Sequence, residues 1–206
     1  MIKNILFDLG GVVMPIDPEE AVKRFTALGL KNANRMLNSY TQSGYIGDLE
    51  EGKITDEEFR QILSKEVGKS LTWEECQWAW LGYRLEVPQR NLDMLKKLKA
   101  EGYRLILLSN TNAFMQQWAE TDFDGNGGSI SDYFDAMYRS YECKMMKPSD
   151  VFFMHVLRTE KIIPSETLFL DDGPRNVAAA SEMGIFTYCP KNGEDWTEKI
   201  YDYLKE

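Results

Sequence analysis

The sequence predicts an α/β fold in three layers, a parallel sheet covered by helices with a smaller helical unit threaded in early. Three observations carry this. Short apolar runs recur along the chain, segments of helical periodicity separate them, and one long stretch, residues 16 to 87, holds helix signals only.

The first run, Asn4–Leu9 in "NILFDL", reads as a buried strand because both of its faces are apolar until Asp8. The helical stretch follows. "PEEAVKRFTAL" sets Ala21, Val22, Phe25 and Leu28 on one side, and "TDEEFRQIL" and "TWEECQWAW" each open on a Thr-x-x-Glu capping box, at Thr55/Glu58 and Thr72/Glu75. Alternation resumes with "QRNLDMLKKLKAEG", whose Leu92, Leu95 and Leu98 share a face and whose Gly102 ends it. Arg104–Ser109 and Ala136–Tyr138 are the next strands. "SDVFFMHVLRTE" is a helix with Ser149 as its cap and Phe152, Phe153, Val156 and Leu157 as its apolar stripe. Strand Thr167–Leu170, a helix from Pro174 to Gly184 and strand Ile185–Cys189 complete the pattern. The expected organisation is a Rossmann-like core from residues 1–15 and 88–206 with a small α-helical cap at 16–87.

Composition narrows the partners. The 206 residues are 43% hydrophobic and 28% charged, and 24 Lys plus Arg against 33 Asp plus Glu give a net charge of −9. Such a balance releases few counterions from a polyanion, so no nucleic-acid partner is expected. A small phosphorylated ligand needs only a local group of donors and stays open. Cys76, Cys143 and Cys189 show no metal-ligand spacing and read as free thiols of a reducing compartment. No leader-like apolar segment opens the chain and no run suits a membrane, so a cytoplasmic protein, monomer or weak homodimer, is expected. The single histidine, His155, lies in a helical apolar stripe and reads as a packing residue, which leaves no Ser-His-Asp triad.

Ligands of open α/β sheets sit beyond the carboxyl ends of the strands. Four polar groups fall there: Asp8 after "ILF", Ser109-Asn110-Thr111 after "LILL", Lys147-Pro148 beyond the third strand, and Asp171-Asp172 after "LFL". Each alone is a common turn or cap sequence. In this order, the set resembles the four motifs of the haloacid dehalogenase-like hydrolases, in "FDLGGVV", "LLSNTN", "KMMKPS" and "FLDDGPRN". The helical stretch sits where that family carries its larger caps.

The resemblance implies a phosphatase in which Asp8 accepts a phosphoryl group and water then hydrolyses the aspartyl-phosphate. Three acids in one cleft call for a hard cation with oxygen ligands, Mg²⁺. By the family pattern Asp8, the Gly10 carbonyl and Asp172 would bind it, with Asp171 direct or one layer behind. Lys147 would balance the nucleophile and the transferring oxygens, and Ser109 with the amides of Asn110 and Thr111 would hold phosphate. Asn176 would orient Lys147 or a water.

The pattern breaks at position 10. Most phosphatases of the family carry an acid there that protonates the leaving oxygen; this chain has Gly10. Dehalogenating relatives also lack that acid, but they lack the paired acids of the fourth motif too. A "DLG" subset that includes bacterial sugar-phosphate phosphatases is similar over all four motifs, and Asp17 matches an acid of that subset. Asp17 is thus the candidate substitute acid, against the plainer reading of a helix cap before Pro18. A small phosphorylated metabolite, a sugar phosphate foremost, is the expected substrate. The rivals are a metal-independent 2-haloacid dehalogenase and a weakly catalytic member that binds a phospho-ligand or a partner protein. Within the cap, Ser39–Thr55 is the expected substrate-facing edge, with Tyr45 and Ile46 as contacts, while Trp73, Trp78, Trp80 and Tyr83 read as cap core. Asp122–Tyr133 imitates the start of a calcium loop but ends on Tyr133 where a bidentate Glu belongs, and reads as a polar loop.

Overall fold

Five parallel strands form one sheet in the order β3-β2-β1-β4-β5: β1 Asn4–Phe7, β2 Arg104–Ser109, β3 Ala136–Arg139, β4 Thr167–Leu170 and β5 Phe186–Tyr188. The structure, a computed structural model, describes residues 1–37 and 44–205. Side chains alternate across the sheet, as the two-residue strand period requires. Ile5, Phe7, Leu105, Leu107, Leu168 and Leu170 join one core. Leu6, Ile106, Leu108 and Phe169 join the other. Both faces are therefore covered, and β1 and β4 at the centre of the sheet are buried throughout. Each fully buried Leu or Phe contributes about 1.5–3 kcal/mol.

On the first face lie α6 (Gln89–Ala100), through Leu92, Leu95 and Leu98, and α11 (Ile200–Leu204), through Ile200 and Leu204. On the second lie α9 (Asp150–Glu160) and α10 (Pro174–Glu182), whose Phe152, Phe153, Val156 and Ala180 pack on β4 and its neighbours. His155 sets its ring edge-on to Tyr138 at 5.7 Å between centroids, a packing contact.

Between β1 and α6 the chain forms α1 (Pro18–Leu28), α2 (Ala33–Met36), α3 (Tyr45–Glu50), α4 (Asp56–Val67) and α5 (Trp73–Trp80). Both Thr-x-x-Glu sequences close as reciprocal capping boxes, on α4 and on α5. Phe25, Phe59 and Trp80 meet at 5.5–6.5 Å and gather α1, α4 and α5 into one aromatic centre. Phe59 also meets Phe114, at 5.7 Å, in the first turn of α7 (Ala113–Asp122). The inserted helices are thus fastened to the helix that leaves β2. A second fastening is a close backbone approach. Gly52, just past α3 at φ +70°, would set a Cβ 2.1 Å from the Tyr141 carbonyl, so only glycine lets α3 settle on α8 (Ser140–Cys143).

Asp122–Tyr133 closes on itself. Asp122 accepts from the Gly127 amide, and Asp124 accepts from the amides of Asn126 and Gly128 at 2.9 Å each. Those carboxylates serve their own loop. No helix among the described residues is long and apolar enough to cross a membrane.

Candidate active site

The strand order reverses at β1, where the chain leaves for β2 and β3 on one side and returns for β4 and β5 on the other. Open α/β sheets bind ligands at this switch. Asp8 follows β1 directly; Asp171 and Asp172 follow its neighbour β4. Parallel pairing of Phe7 with Leu170 brings the three acids side by side, and one carboxylate oxygen from each lies within 4.8 Å of the others.

Lys147 is inserted among them. Its ammonium stands 2.9 Å from Asp8 Oδ1 and 2.6 Å from Asp171 Oδ2. Asn110 holds the Lys147 backbone from both sides, its Nδ2 donating to the carbonyl at 3.0 Å and its Oδ1 accepting from the amide at 2.9 Å. Asp171, wholly buried, is saturated: besides Lys147 it accepts from the Gly173 amide at 2.7 Å and from Asn176 Nδ2 at 3.0 and 3.1 Å. Asp8 Oδ1 also accepts from the Leu9 amide at 2.7 Å, which fixes the direction of the carboxylate.

Asp172 differs from its neighbours. Its Oδ2 is buried and no hydrogen bond reaches it. Gly11, at φ +83°, is what admits that carboxylate, since a Cβ there would lie 2.2 Å from Oδ2. No hydrogen bond among the described residues takes up the Gly10 carbonyl either. An orphaned buried oxygen in a cradle only glycine can form, beside a free carbonyl and a second carboxylate, is a donor set for a hard cation such as Mg²⁺.

The charges register this crowding. Burial pushes Asp8 up to about 8, against the pull of Lys147 and with a further push from Asp171 and Asp172. Burial, then Asp171, raises Asp172 to about 6. On Lys147 burial acts downward, but Asp171 and Asp8 outweigh it and hold the ammonium above its ordinary value. One lysine does not balance three converging acids.

A cavity of about 110 Å³ opens on this group and is lined by Asp8, Ser109, Lys147 and Asp172, with Ile16 and Glu50 on the inserted segment's side. A second, of about 600 Å³, adjoins it through Lys147 and Asn176 and is bordered by Gly44, Gly47 and Lys53.

The sequence-predicted residues divide accordingly. Asp8, Gly10, Ser109, Asn110, Thr111, Lys147, Asp172 and Asn176 all border the first cavity. Asp171 lies behind it, bonded to Lys147 and Asn176. Of the two amides expected to hold phosphate, that of Thr111 donates to Ser140 Oγ at 2.9 Å, while the Asn110 side chain is spent on Lys147. The Ser109 side chain lines the cavity too.

Asp17 stands elsewhere. It caps α1, accepting from the Glu20 amide at 3.0 Å, and borders neither cavity. The cap-forming sequence Asp17-Pro18 explains its position. Asp17→Ala is expected to cost about 1 kcal/mol of stability, read by denaturant titration, and to leave turnover of a phosphate ester within a few-fold.

Tyr45 and Ile46 also miss both cavities. Tyr45 bonds Glu66 at 2.6 Å and packs on Phe59, and Ile46 is fully buried in the apolar core. Residues 39–43 of the expected substrate-facing edge lie outside the described residues. Trp80 and Tyr83, expected as core alone, are buried and line the cavity as well. Sequence reasoning passed over Glu50 altogether. Its signal was a carboxylate in the buried face of α3, in register with Ile46 and Leu49.

Comparison with known proteins agrees with this geometry. A family model described as haloacid dehalogenase-like hydrolase matches residues 2–184. D-ribitol-5-phosphate phosphatase of Bacteroides thetaiotaomicron is 43% identical over 201 residues, covering 97% of each chain. The structure of a predicted hydrolase of this kind from Porphyromonas gingivalis superposes with a TM-score of 0.94 at 40% identity, covering 100% of this chain and 99% of that one. A Bacteroides thetaiotaomicron enzyme of the family, a mutant solved with magnesium and inorganic phosphate, superposes with a TM-score of 0.91 at 37% identity, over 97% and 99% of the two chains. From its four motifs, its fold and these matches, the chain belongs to the haloacid dehalogenase-like hydrolases.

Proposed function

We propose that this chain is a Mg²⁺-dependent phosphatase of a small phosphorylated metabolite, a sugar or polyol phosphate foremost, working through an aspartyl-phosphate on Asp8. The observation that carries the reading is the unpartnered Asp172 Oδ2 beside Asp8 and Lys147 in one cavity. The residues fit a magnesium ion: Asp8, the Gly10 carbonyl and Asp172 would hold it. Asp171, whose oxygens serve Lys147, Gly173 and Asn176, would orient the lysine from behind. Bound there, the ion would neutralise the negative charge that two carboxylates and a phosphate bring together.

The chain's own residues supply the rest. Asp8, aimed by Leu9 and Lys147, presents its carboxylate to the phosphorus. The Lys147 ammonium offsets charge on the transferring oxygens, and the Ser109 hydroxyl donates to one of them. Position 10 supplies no proton. Ile16 Cγ2 lies 3.2 Å from where a Gly10 Cβ would stand, so a neighbouring side chain borders the space an acid would use. General acid catalysis contributes typically 10²–10⁴-fold, which favours alcohols that leave readily or are protonated by solvent.

Residues 1–15 and 88–206 would form the catalytic core and 16–87 the cap, in a cytoplasmic monomer or weak homodimer. The similarity to a D-ribitol-5-phosphate phosphatase supports a pentitol phosphate as first substrate to try. A panel of phosphate esters with and without Mg²⁺, with 2-chloropropionate beside it, tests the reading. Mg²⁺-dependent phosphate release is expected. Chloride release would establish a dehalogenase instead, and turnover of nothing on the panel a binding protein.

A further inference from the structure

Glu50 ends α3 and is 8% exposed. Its neighbours on the buried face, Ile46 and Leu49, are 0% and 1% exposed, so a charged residue occupies a position that the helix otherwise reserves for packing. Gly52 fixes the end of this helix against the Tyr141 carbonyl, which leaves the Glu50 backbone little freedom to move away. The side chain borders the cavity that also holds Asp8, Lys147 and Ser109.

Among the described residues only the Asn112 side chain answers it. Among the described residues no lysine, arginine or backbone amide bonds the Glu50 carboxyl. Burial drives it up to about 7, and the Asn112 side chain pulls the other way. Met14 and Ile16, which line the same cavity, are apolar. A carboxyl's two oxygens accept more hydrogen bonds than one Asn112 side chain supplies, and a ligand in the cavity that Glu50 borders can bring the rest.

We propose that Glu50 is a specificity-determining residue: it accepts hydrogen bonds from one or two hydroxyls of a neutral polyol or sugar leaving group held between α3 and Asp8. The proposal rests on the phosphatase reading and names what that site selects. Ionised or protonated, a carboxyl keeps an oxygen to accept from an alcohol. In its ionised form it repels a leaving group that ends in a carboxylate, so above about pH 7 the same residue that admits polyols disfavours acid-terminated phosphates.

The test compares kcat/KM for a pentitol phosphate and for phenyl phosphate, whose leaving group carries no alcohol hydroxyl, in wild type, Glu50→Gln and Glu50→Ala. Thermal melts certify that each variant folds. In Glu50→Ala the ratio of pentitol to phenyl ester falls on the order of 10- to 100-fold, mainly through KM, as befits one or two lost hydrogen bonds. Glu50→Gln, which still accepts through its amide oxygen, falls less. Direct titration of pentitol phosphate into Asp8→Asn, with and without Glu50→Ala, shows the same loss of affinity. A common fall for both esters, or no fall for either, overturns the proposal. Should wild type hydrolyse neither ester while the titration keeps its dependence on Glu50, the phosphatase reading fails and the specificity role stands. A titration without that dependence overturns the role whatever the activity.

Discussion

Asp8→Asn releases no measurable phosphate from any ester the wild type hydrolyses, a loss on the order of 10³-fold or more. The expectation follows from what the carboxylate does. An amide nitrogen or oxygen at the same place cannot form the acyl phosphate, and the rest of the site is built to aim and neutralise that one oxygen pair. Asp8 accepts from Leu9 and from Lys147, so the asparagine variant also loses an ion pair with a buried ammonium. It should still fold, because removing one of three crowded acids offsets the lost pair, and its melt in the absence of Mg²⁺ should fall close to that of wild type. A single-turnover quench separates the nucleophile from a mere ligand: wild type gives an acid-stable, hydroxylamine-labile phosphoprotein and Asp8→Asn gives none. Residual turnover above a few per cent, or phosphoprotein formed in the variant, would move the nucleophile elsewhere.

Much of this site could be read along the chain because each strand delivers its chemistry at its own end. Asp8, Ser109, Asp171 and Asp172 stand where an apolar run stops, and parallel pairing of neighbouring strands does the rest. Lys147 was legible only through the family pattern, since its strand β3 ends at Arg139 and the loop carries it back. What stayed hidden is non-local. The grip of Asn110 on Lys147 and the engagement of Thr111 by Ser140 join residues 37 and 29 positions apart, and no local pattern announces them. Glu50 stands beside Glu51 in sequence, and its burial comes with the seating of α3, which contacts α8. Asp17 illustrates the opposite case. Its local signal, an aspartate before Pro18 at the start of a helix, was sound, and the suggestion of a catalytic part for it came from likeness alone.

The central claim is that Asp8 and Asp172 crowd together because a divalent cation holds them, and metal-free protein exposes the cost of that arrangement. Folded-state values of about 8 for Asp8 and about 6 for Asp172, against 3.8 for each when unfolded, mean that the folded protein retains protons the unfolded chain has lost. Stability without metal therefore falls as pH rises from about 4 to about 8 through this pair. Mg²⁺ reverses the loss by binding the native state in its ionised form.

Asp172→Asn is the sharpest probe, because Oδ2 has no other partner to lose. An amide there removes one of the repelling charges and one of the ligands together. The measurement is the melting temperature at pH 8 of wild type and Asp172→Asn, each in EDTA and in millimolar Mg²⁺. Wild type should rise by several degrees with magnesium, while Asp172→Asn should melt at or above wild type in EDTA and gain nothing from the ion. A wild type indifferent to Mg²⁺, or a variant that gains as much from it as wild type, would contradict the account.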